Sequence, residues 1–559
     1  MPIYRADQSR LSFASEPGLA GFLDYISAVD EATDWTGVIN GAVASGSRSV
    51  TFDGAGGTLA VNSYVLIGTV ANGSAEVRRI SSLGSYNGTG ATGTVYLDQP
   101  TGFYHADNDI IDEKSATLAG LAGNSLVTFL PGVYENVTVP DMVPQIEPYY
   151  FLGTAAKRNW TAAYRGRQSF SGSLPNFILL NSYPLRFPLG TSATTGTDVG
   201  GGGGSTITGA HGKGQRSILV TAGNLYDNGD YIQIGTGTTA EVRQIISGAG
   251  ADGLAETFIL NYPLMFAHAT LEALNEVTSP YTHTISESGV LDSMSWHLQM
   301  KDSDETLVND FLRRYIGGKV NRASLRADEG GTLMMSWDEV PFTDLIHNQR
   351  FHSSVGGGAT DITKYAGAMI VPAGVGGAIP HSGGALGTPT FPTNEPYYFS
   401  QSAISFFGTT FARIRSFTLE VNNNIEPRYY LKDTSSGRIP AELQEQRREY
   451  RLTARVALPD SIAAATSTSR TLFKELLLEG NYGSGMAGFD MSLVFTRSAS
   501  DTITFTIPPV TAATGIDAQG SFIVRGANNI GAESPTEVDL EVIFRSLSIV
   551  SRDSDGVVP

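Results

Sequence analysis

The segment Gly209-Ala210-His211-Gly212-Lys213-Gly214 contains residue types that hold phosphate, because glycine N–H groups and a lysine can together bind a nucleotide. A loop of that kind requires a glycine five residues before Gly212 and a hydroxyl residue directly after Lys213. The sequence has Ile207 and Gly214 at these positions, and five glycines at 200–204 lie just upstream. The sequence therefore favours a flexible linker over a nucleotide site.

Two histidines and an acidic stretch are candidate metal ligands. His105 and His268 occupy equivalent places in a repeated segment, but the two copies share no obvious set of further ligands, so we expect packing or turn roles. The stretch 107–113 could bind calcium, yet it lacks the glycine of a calcium loop, and the other copy has Thr270-Leu271-Glu272-Ala273. We expect a solvated strand end there.

Glu475 and Glu479 are the pair best spaced for acid–base chemistry, since they lie four residues apart on one face of a predicted helix. Two carboxylates so placed more often form a solvated or subunit-facing surface than a catalytic dyad. No Ser-His-Asp set, nucleophile elbow or dinucleotide motif occurs in its required context. The sequence thus predicts no enzyme, no catalytic, cofactor-binding or metal-binding residue, and no cofactor.

Composition excludes several further classes. The chain has 559 residues, with 37 Lys+Arg against 55 Asp+Glu, so 37 − 55 gives a net charge of −18. That sign argues against a protein that grips DNA phosphates. The absence of cysteine excludes disulfides and thiolate zinc sites, and neither a membrane-spanning helix nor a signal peptide is evident. Only 16% of residues are charged, which indicates surfaces covered by partners.

The residues that remain belong mostly to predicted strands. Around 450–458, Tyr450, Leu452, Val456 and Leu458 fall on one face and two arginines on the other, the period-2 pattern of a half-buried strand. The same pattern occurs at 417–421, 491–495, 503–507 and 538–544. The predicted fold class is mainly β (α+β), with β-sandwich or barrel domains.

Two short helices are predicted among the strands. Residues 305–316 place Val308, Phe311, Leu312 and Tyr315 in one apolar stripe ahead of Gly317. Residues 471–479 turn Leu472, Phe473, Leu476 and Leu477 inward and end at Gly480, with Ser469 or Thr468 as the N-cap. We expect one covering helix in each half of the protein.

A small all-β module occurs twice. The stretch 62–68 is matched by 229–235, the strand 75–80 by 240–245, and the segment 100–106 by 263–269. A fainter duplication relates 147–151 to 395–399, and 318–325 to 437–443. These repeats indicate two related β-rich halves, the first interrupted by the second copy of the module.

The repeats divide the chain as follows: an N-terminal segment (1–45), small β module 1 (46–115), β-rich domain A (116–190 with 276–350), a linker with small β module 2 (191–275), a Gly-rich linker or arm (351–394) and β-rich domain B (395–559).

Arginines concentrate in the last third of the chain, at 413, 415, 438, 447, 448, 451 and 455. They fit an ordinary solvated strand face. They also fit a subunit contact, in which each arginine pairs with a carboxylate of a neighbouring copy. A DNA-gripping patch is the third alternative, and it opposes the overall charge.

The order of these segments closely resembles the major tail tube proteins of long-tailed, siphovirus-like bacteriophages. In the second half the resemblance lies in 416–427, 437–441, the strand 449–458, the helix 471–479 and a hairpin ending at Pro508. In the first half it lies in 166–174, 281–285, 293–296 and 315–321. The two small modules have no counterpart in the minimal member of that family.

The resemblance implies a structural virion protein of the phage tail, made in the host cytoplasm, whose rings stack into the tube through which the genome is ejected. Two fused tube domains per chain imply a trimer that imitates a six-fold ring. The implied partners are further copies of the chain, the terminator and distal tail proteins, and a tape measure inside the lumen. DNA passes through without specific binding, and no membrane is involved.

Like charge would let DNA slide, so we expect a mainly acidic lumen, for which Asp539 and Glu541 are candidates. The Gly-rich stretch 356–384 is a candidate arm that orders on ring stacking.

Two alternatives to the tail tube function stay open. One is another tail component on the same fold, such as a terminal or baseplate ring protein. The other is a glycan-binding adhesin that uses the duplicated modules.

Overall fold

We analysed a computed structural model of the chain. The structure describes residues 10–16, 27–30, 35–44, 47–56, 59–61, 63–68, 76–86, 92–97, 101, 104–120, 129–140, 143–149, 162–199, 204–213, 215, 217–221, 226–250, 255–300, 311–347, 394–406, 409–411, 414–429, 440, 442–457, 491–507, 522–529 and 537–557. In these ranges, no helix has the length and apolar character needed to cross a membrane.

The first seventeen strands are β1 (Arg10–Glu16), β2 (Ser27–Asp30), β3 (Thr36–Ile39), β4 (Ser49–Gly56), β5 (Tyr64–Ile67), β6 (Glu76–Ser82), β7 (Thr92–Leu97), β8 (Ile110–Gly120), β9 (Val143–Tyr149), β10 (Ala162–Ile178), β11 (Gly190–Asp198), β12 (Ser205–Thr206), β13 (Ser217–Val220), β14 (Tyr231–Ile234), β15 (Glu241–Ser247), β16 (Glu256–Leu260) and β17 (Ala273–Glu287). The later strands are β18 (Ser293–Met300), β19 (Phe311–Gly318), β20 (Arg322–Asp328), β21 (Met334–Phe342), β22 (Asp344–His347), β23 (Ser402–Phe406), β24 (Thr409–Phe411), β25 (Ile414–Asn422), β26 (Glu426–Arg428), β27 (Glu442–Gln444), β28 (Glu449–Ala457), β29 (Met491–Ser498), β30 (Asp501–Ile507), β31 (Phe522–Asn529), β32 (Glu537–Phe544) and β33 (Ser548–Asp553). The described helices are α1 (Arg186–Leu189) and the 3₁₀ turns Tyr183–Leu185, Gly237–Thr239 and Phe399–Gln401.

The central layer is an eight-stranded antiparallel sheet whose strand order contains an internal repeat. The order is β9-β10-β21-β20 followed by β25-β28-β32-β31. In each group of four the first two strands come early in the sequence, and the last two come late and in reversed order. The two groups meet at a seam in which β20 pairs with β25, from Arg322 opposite Asn422 to Asp328 opposite Ser416. The sheet is therefore a head-to-tail tandem of two equal units.

The second layer repeats in the same way. One four-stranded sheet has the order β1-β18-β19-β22, and the corresponding strands of a larger sheet have the order β23-β29-β30-β33. We call the first set of eight strands the first sandwich and the second set the second sandwich. In this correspondence β20 matches β31 and β10 matches β28. The sequence comparison had matched 318–325, which leads into β20, to 437–443, which leads into β28. The strand order instead matches β20 to β31, so that alignment of the fainter duplication was wrong.

Both sandwiches share one hydrophobic core. Strand alternation turns Leu452 and Val542 inward from the eight-stranded sheet, while Phe495 and Trp296 enter from the second layer, and all four are fully buried. Trp337 lies within 5.6 Å of the rings of Phe13, Phe177 and Phe187, measured between ring centroids. The core continues through the seam, so the halves are not packed as two separate bodies.

The first repeated module is a closed barrel with its own core. Its strands follow the order β8-β3-β4-β7-β6-β5, and a further pairing of β5 with β8 closes the circle. Trp35 and Phe52 lie at the centre, with ring centroids 4.4 Å apart. Gly37 and Gly54 lie against the Trp35 ring, where a Cβ on either would come within 3 Å of it. We call this module the first barrel.

The second module has the same strand order. Strands β17-β14-β15-β16-β13 are joined in sequence, and the bridge between Ile207 and Val220 together with the pairing of β12 to β17 completes the circle. We call it the second barrel. Strand β17 begins in this barrel and continues past Tyr281 into pairing with β33. One uninterrupted strand thus connects the second barrel to the sandwiches.

The strand predictions and helix predictions had different outcomes. The strands predicted at 417–421, 450–458, 491–495, 503–507 and 538–544 are confirmed as β25, β28, β29, β30 and β32, although Leu458 lies outside the described residues. The helix predicted at 305–316 is wrong from residue 311 onward, where β19 runs between β18 and β22. Pairing on both sides outweighs the local helical spacing. The helix predicted at 471–479 and the arm at 356–384 lie outside the described residues.

Candidate assembly surfaces and the repeated ion-pair cluster

The eight-stranded sheet has one face on the core and one exposed face. On the exposed face of β20, β25, β28 and β32 the side chains alternate with the buried ones and carry both signs of charge. Glu420 lies opposite Arg451, and Arg455 lies opposite Asp539. Direct cross-strand pairs of opposite charge stabilise a sheet, whereas like charges would destabilise it.

Three of the predicted arginines form a ladder of ion pairs with one strand of the same chain. Arg455 Nε lies 2.7 Å from Glu537 and 3.5 Å from Asp539, and Arg451 Nε lies 3.3 Å from Glu541. Arg415 bonds Glu537 as well. The hydrogen bond from Arg415 and the charges of Arg415 and Arg455 lower the pKa of Glu537, despite the opposing effect of burial.

This ladder bears on two expectations about charge. The carboxylates that pair with Arg415, Arg451 and Arg455 belong to the same chain, as on an ordinary strand face, the first of the three alternatives that the sequence left open. Asp539 and Glu541, the candidate lumen acids, lie on the exposed face but are partly neutralised by these arginines. Arg447 pairs with Glu449, and Arg448 bonds Asn423. Arg413 and Arg438 lie outside the described residues.

The two edges of the eight-stranded sheet are strands β9 and β31. On β9, Ile146 is 59% exposed and Tyr149 is 44% exposed, and on β31, Val524 is 51% exposed. Among the strands that the structure describes, β9 pairs only with β10 and β31 only with β32. Unpaired edges that carry exposed apolar side chains invite a further strand.

Buried polar groups fix the seam between the sandwiches. The side-chain amide of Asn423 donates to the carbonyl oxygens of Pro188 and Val320, at 3.0 and 2.9 Å. Lys319, buried on the other side of the seam, donates to Glu445 at 2.6 Å. These bonds set the angle at which the two sandwiches meet.

The second barrel contains a buried ion-pair cluster around His268. The imidazole contacts Glu241 through Nε2 at 2.8 Å and Glu272 through Nδ1 at 2.7 Å, and Glu241 also pairs with Arg243 at 2.6 Å. Burial alone would lower the pKa of His268, but the bonds and charges of Glu241 and Glu272 raise it. Burial would raise the pKa of Glu241, and Arg243 and His268 lower it instead.

The first barrel repeats part of this cluster. His105 Nδ1 lies 3.7 Å from Asp109, four residues on, as His268 lies beside Glu272. The backbone N–H of Ala106 donates to Asp109 just as that of Ala269 donates to Glu272. Arg78 is fully buried at the position of Arg243. Both histidines thus have a carboxylate four residues on, which the comparison of possible metal ligands in the sequence did not identify.

The cluster has a structural role. A group of three or more His, Asp or Glu side chains suited to a metal ion is absent from the described part of the chain. Both histidines instead lie at backbone bridges, His105 with Val43 and His268 with His211. The repeated Ala-Glu-Val-Arg sequence was the signal that could have identified Glu241 and Arg243.

The remaining sequence candidates also have defined places. The predicted linker at 209–214 was wrong, because Ile207 and His211 bridge other strands and Lys213 pairs with Asp292 at 2.7 Å. The acidic stretch 107–113 lies at the start of β8, where the Asp107 carboxylate accepts the N–H of Gly41. Glu475 and Glu479 lie outside the described residues.

In the described part of the chain, two tandem β-sandwiches share one core, and each outer strand of their common sheet pairs on one side only, an arrangement typical of structural proteins that associate through sheet edges. A family model described as phage tail tube protein matches residues 155–542. The chain therefore belongs to the phage tail tube protein family, a family of structural components of the virion tail. No curated protein matches the chain.

Proposed function

We propose that this chain closes head to tail into a ring of three, and that such rings stack into the tube of a siphovirus-like tail. The two sandwiches and the two inserted barrels are its domains. The tandem order of the eight-stranded sheet carries the proposal. Because β9 matches β25 and β31 matches β20, the two open edges stand in the same relation as the two strands of the internal seam.

A head-to-tail contact of this kind either closes a ring or extends into a filament. Three sheets of eight strands would form a barrel of 3 × 8 = 24 strands without open edges. The family supports ring closure over an open filament. The ring would present six similar sandwiches to a central bore, through which the genome is ejected, and stacked rings would meet the terminator, distal tail and tape measure proteins.

The exposed face of the eight-stranded sheet is the face that would line the bore. Three of its arginines, Arg415, Arg451 and Arg455, are engaged by the carboxylates of the ladder. Cations held in this way release fewer counterions from DNA than free ones, so the duplex would slide. The glycan-binding alternative has less support in the second barrel, where every aromatic ring of the described part is buried or half-buried, and in the first barrel it would depend on Tyr96, which is 47% exposed.

Edge substitutions test the ring. Ile146→Lys on β9 and Val524→Lys on β31 put a charge on each proposed joint, which should leave monomers in mass photometry and no tubes in negative-stain images. The control is Val550→Lys, since Val550 is 39% exposed but lies on β33, which pairs on both sides. Normal rings from both edge variants, or loss of rings from the control alone, would contradict the proposed joint.

A further inference from the structure

The glycine-rich segment at 209–213 belongs to the second barrel, and the tail tube function leaves it without a role. Two of its side chains are anchored in different directions. His211 is buried and its Nε2 accepts the backbone N–H of Leu219 at 3.2 Å. Lys213 binds Asp292, which is also held by Arg186 at 3.2 Å. Between these anchors the backbone at Gly212 is held firmly.

The ring of Tyr104, from the first barrel, covers Gly212. A Cβ placed on Gly212 would lie 2.5 Å from Tyr104 Cε2 and 2.6 Å from Tyr104 Cγ, and the closest atoms it would meet all belong to this ring. Such distances do not occur between real atoms, so only glycine allows the contact. The backbone of Gly212 lies outside the left-handed region. Glycine is therefore needed for space and not for conformation.

A comparison of the two barrels shows that the residues of this contact are not repeated in the other copy. The reciprocal backbone bonds of Val43 with His105 match those of His211 with His268. By this correspondence the first barrel has Ala44 where the second has Gly212, and the second has Ala267 where the first has Tyr104. The two copies thus differ at both positions of the contact. One carries an aromatic ring and the other carries the space for it.

Burial is consistent with this contact. Tyr104 is half-buried, whereas Ala267 is exposed. Burial, followed by the charges of Asp109 and Asp107, raises the pKa of the Tyr104 phenol, so its ring docks in the neutral form.

We propose that Gly212 is a docking notch for Tyr104, and that this contact holds the first barrel on the second as one rigid unit. The occupant is a segment of the same chain. Because β17 runs from the second barrel into the sandwiches, the contact also fixes the first barrel relative to the sandwiches. The inference is independent of the number of chains in a ring.

Spin labels can test the notch in the full chain. The protein has no cysteine, so Val61→Cys on the first barrel and Ile246→Cys on the second, both about half exposed, give one label pair per chain, and an excess of unlabelled chain keeps labels on different chains out of the measurement. We expect one narrow distance distribution in the parent, and a broad one in Gly212→Ala and in Tyr104→Ala. Gly289→Ala is the matched control, because Gly289 also lies outside the left-handed region and has open space around it.

The double variant completes the test. In the Tyr104→Ala background, Gly212→Ala should add no further broadening, because its only effect is to exclude the ring. An unchanged, narrow distribution in Gly212→Ala would overturn the proposal. It would also be overturned if the narrow distance appeared only when the two labels were on different chains. Oligomer size, measured in parallel, should be the same in all variants, which separates loss of docking from loss of ring assembly.

Discussion

The backbone N–H of Asn423 donates to the carbonyl oxygen of Asn321 at 2.8 Å, and this bond joins the two sandwiches at one end of their seam. The side chain of Asn321 in turn accepts the N–H of Ile425 at 2.7 Å. The two asparagines are distant in sequence, and each lies next to a strand of a different sandwich. The seam is therefore held by directed polar bonds in addition to its apolar core.

Asn423→Ala should destabilise the chain. The substitution leaves the buried carbonyl oxygens of Pro188 and Val320 and the Arg448 guanidinium without the Asn423 amide, and each unsatisfied group costs roughly 1–3 kcal/mol. Urea unfolding followed by circular dichroism measures the loss. Asn40→Ala, which removes one exposed bond to Asp53, should change stability by less than about 0.5 kcal/mol. Equal effects of the two variants would contradict a special role for Asn423.

Glu241→Gln should destabilise the second barrel more than any single surface change. The neutral amide leaves Arg243 buried without its counter-charge, and breaking a buried pair costs about 3–5 kcal/mol. Hydrogen exchange of β14 and β15 should accelerate, while exchange in β28 and β32 stays slow. Glu276→Gln is the matched control. Burial and the charges of Asp230 and Asp227 raise the pKa of Glu276, so neutralising it should leave stability unchanged or higher.

The ion-pair cluster around His268 should stabilise the second barrel most in mildly acidic solution, whereas buried His211, whose pKa is lowered by burial, opposes this effect as pH falls below 6.5. The raised pKa of His268 means that its charged form stabilises the fold fully below its ordinary value of 6.5, and this contribution is lost as pH rises through the raised value. The lowered pKa of Glu241 means that its contribution is complete above 4.5 and is lost as pH falls further.

Hydrogen exchange of β14 and β15 as a function of pH measures this optimum, after correction for the intrinsic exchange rate. His268→Gln should remove the decline on the alkaline side and leave the acidic side in place. The comparison is needed because the pKa of buried His283 is raised as well, through Asp553, against the effect of burial. If the stability of the second barrel falls equally with rising pH in the parent and in His268→Gln, then charged His268 does not stabilise the barrel as proposed.

Removing the carboxylates of the ladder should create affinity for DNA. The combined variant Glu537→Gln, Asp539→Asn and Glu541→Gln removes the ladder carboxylates from Arg451 and Arg455 and leaves Arg415 with Glu329 alone. Binding of a fluorescent duplex, followed by anisotropy, should appear at low salt and fall steeply as salt rises. Replacing the same three arginines with glutamine should give no binding. If the duplex does not bind the carboxylate variant at low salt, the proposal that this face of the sheet lines the bore is contradicted.

Local patterns in the sequence predicted individual strands well. The alternation of Tyr450, Leu452 and Val456 with two arginines is set by burial on one side of a sheet, and β28 has this arrangement. The repeats of the two barrels were also legible, because both copies preserve their residues in order. Fold class and family follow from such signals.

What the sequence could not predict is pairing between distant segments. Tyr315 fits a helical stripe in its own neighbourhood, and its pairing with Trp296 on one side and Leu345 on the other makes it part of a strand. The ladder from Arg455 to Asp539 depends on the register of β28 with β32, and no local pattern specifies that register. The contact of Tyr104 with Gly212 joins two modules that each appear complete on their own.

Both barrels are inserted into the first sandwich, before and after β9 and β10, and the described part of the second sandwich has no such insertion. The two sandwiches, alike in strand order, therefore differ in what is attached to them. In a ring of three chains, the bore would keep near six-fold regularity while the exterior would be only three-fold. The two barrels and the sheet that would line the bore could then change in sequence at different rates within one polypeptide.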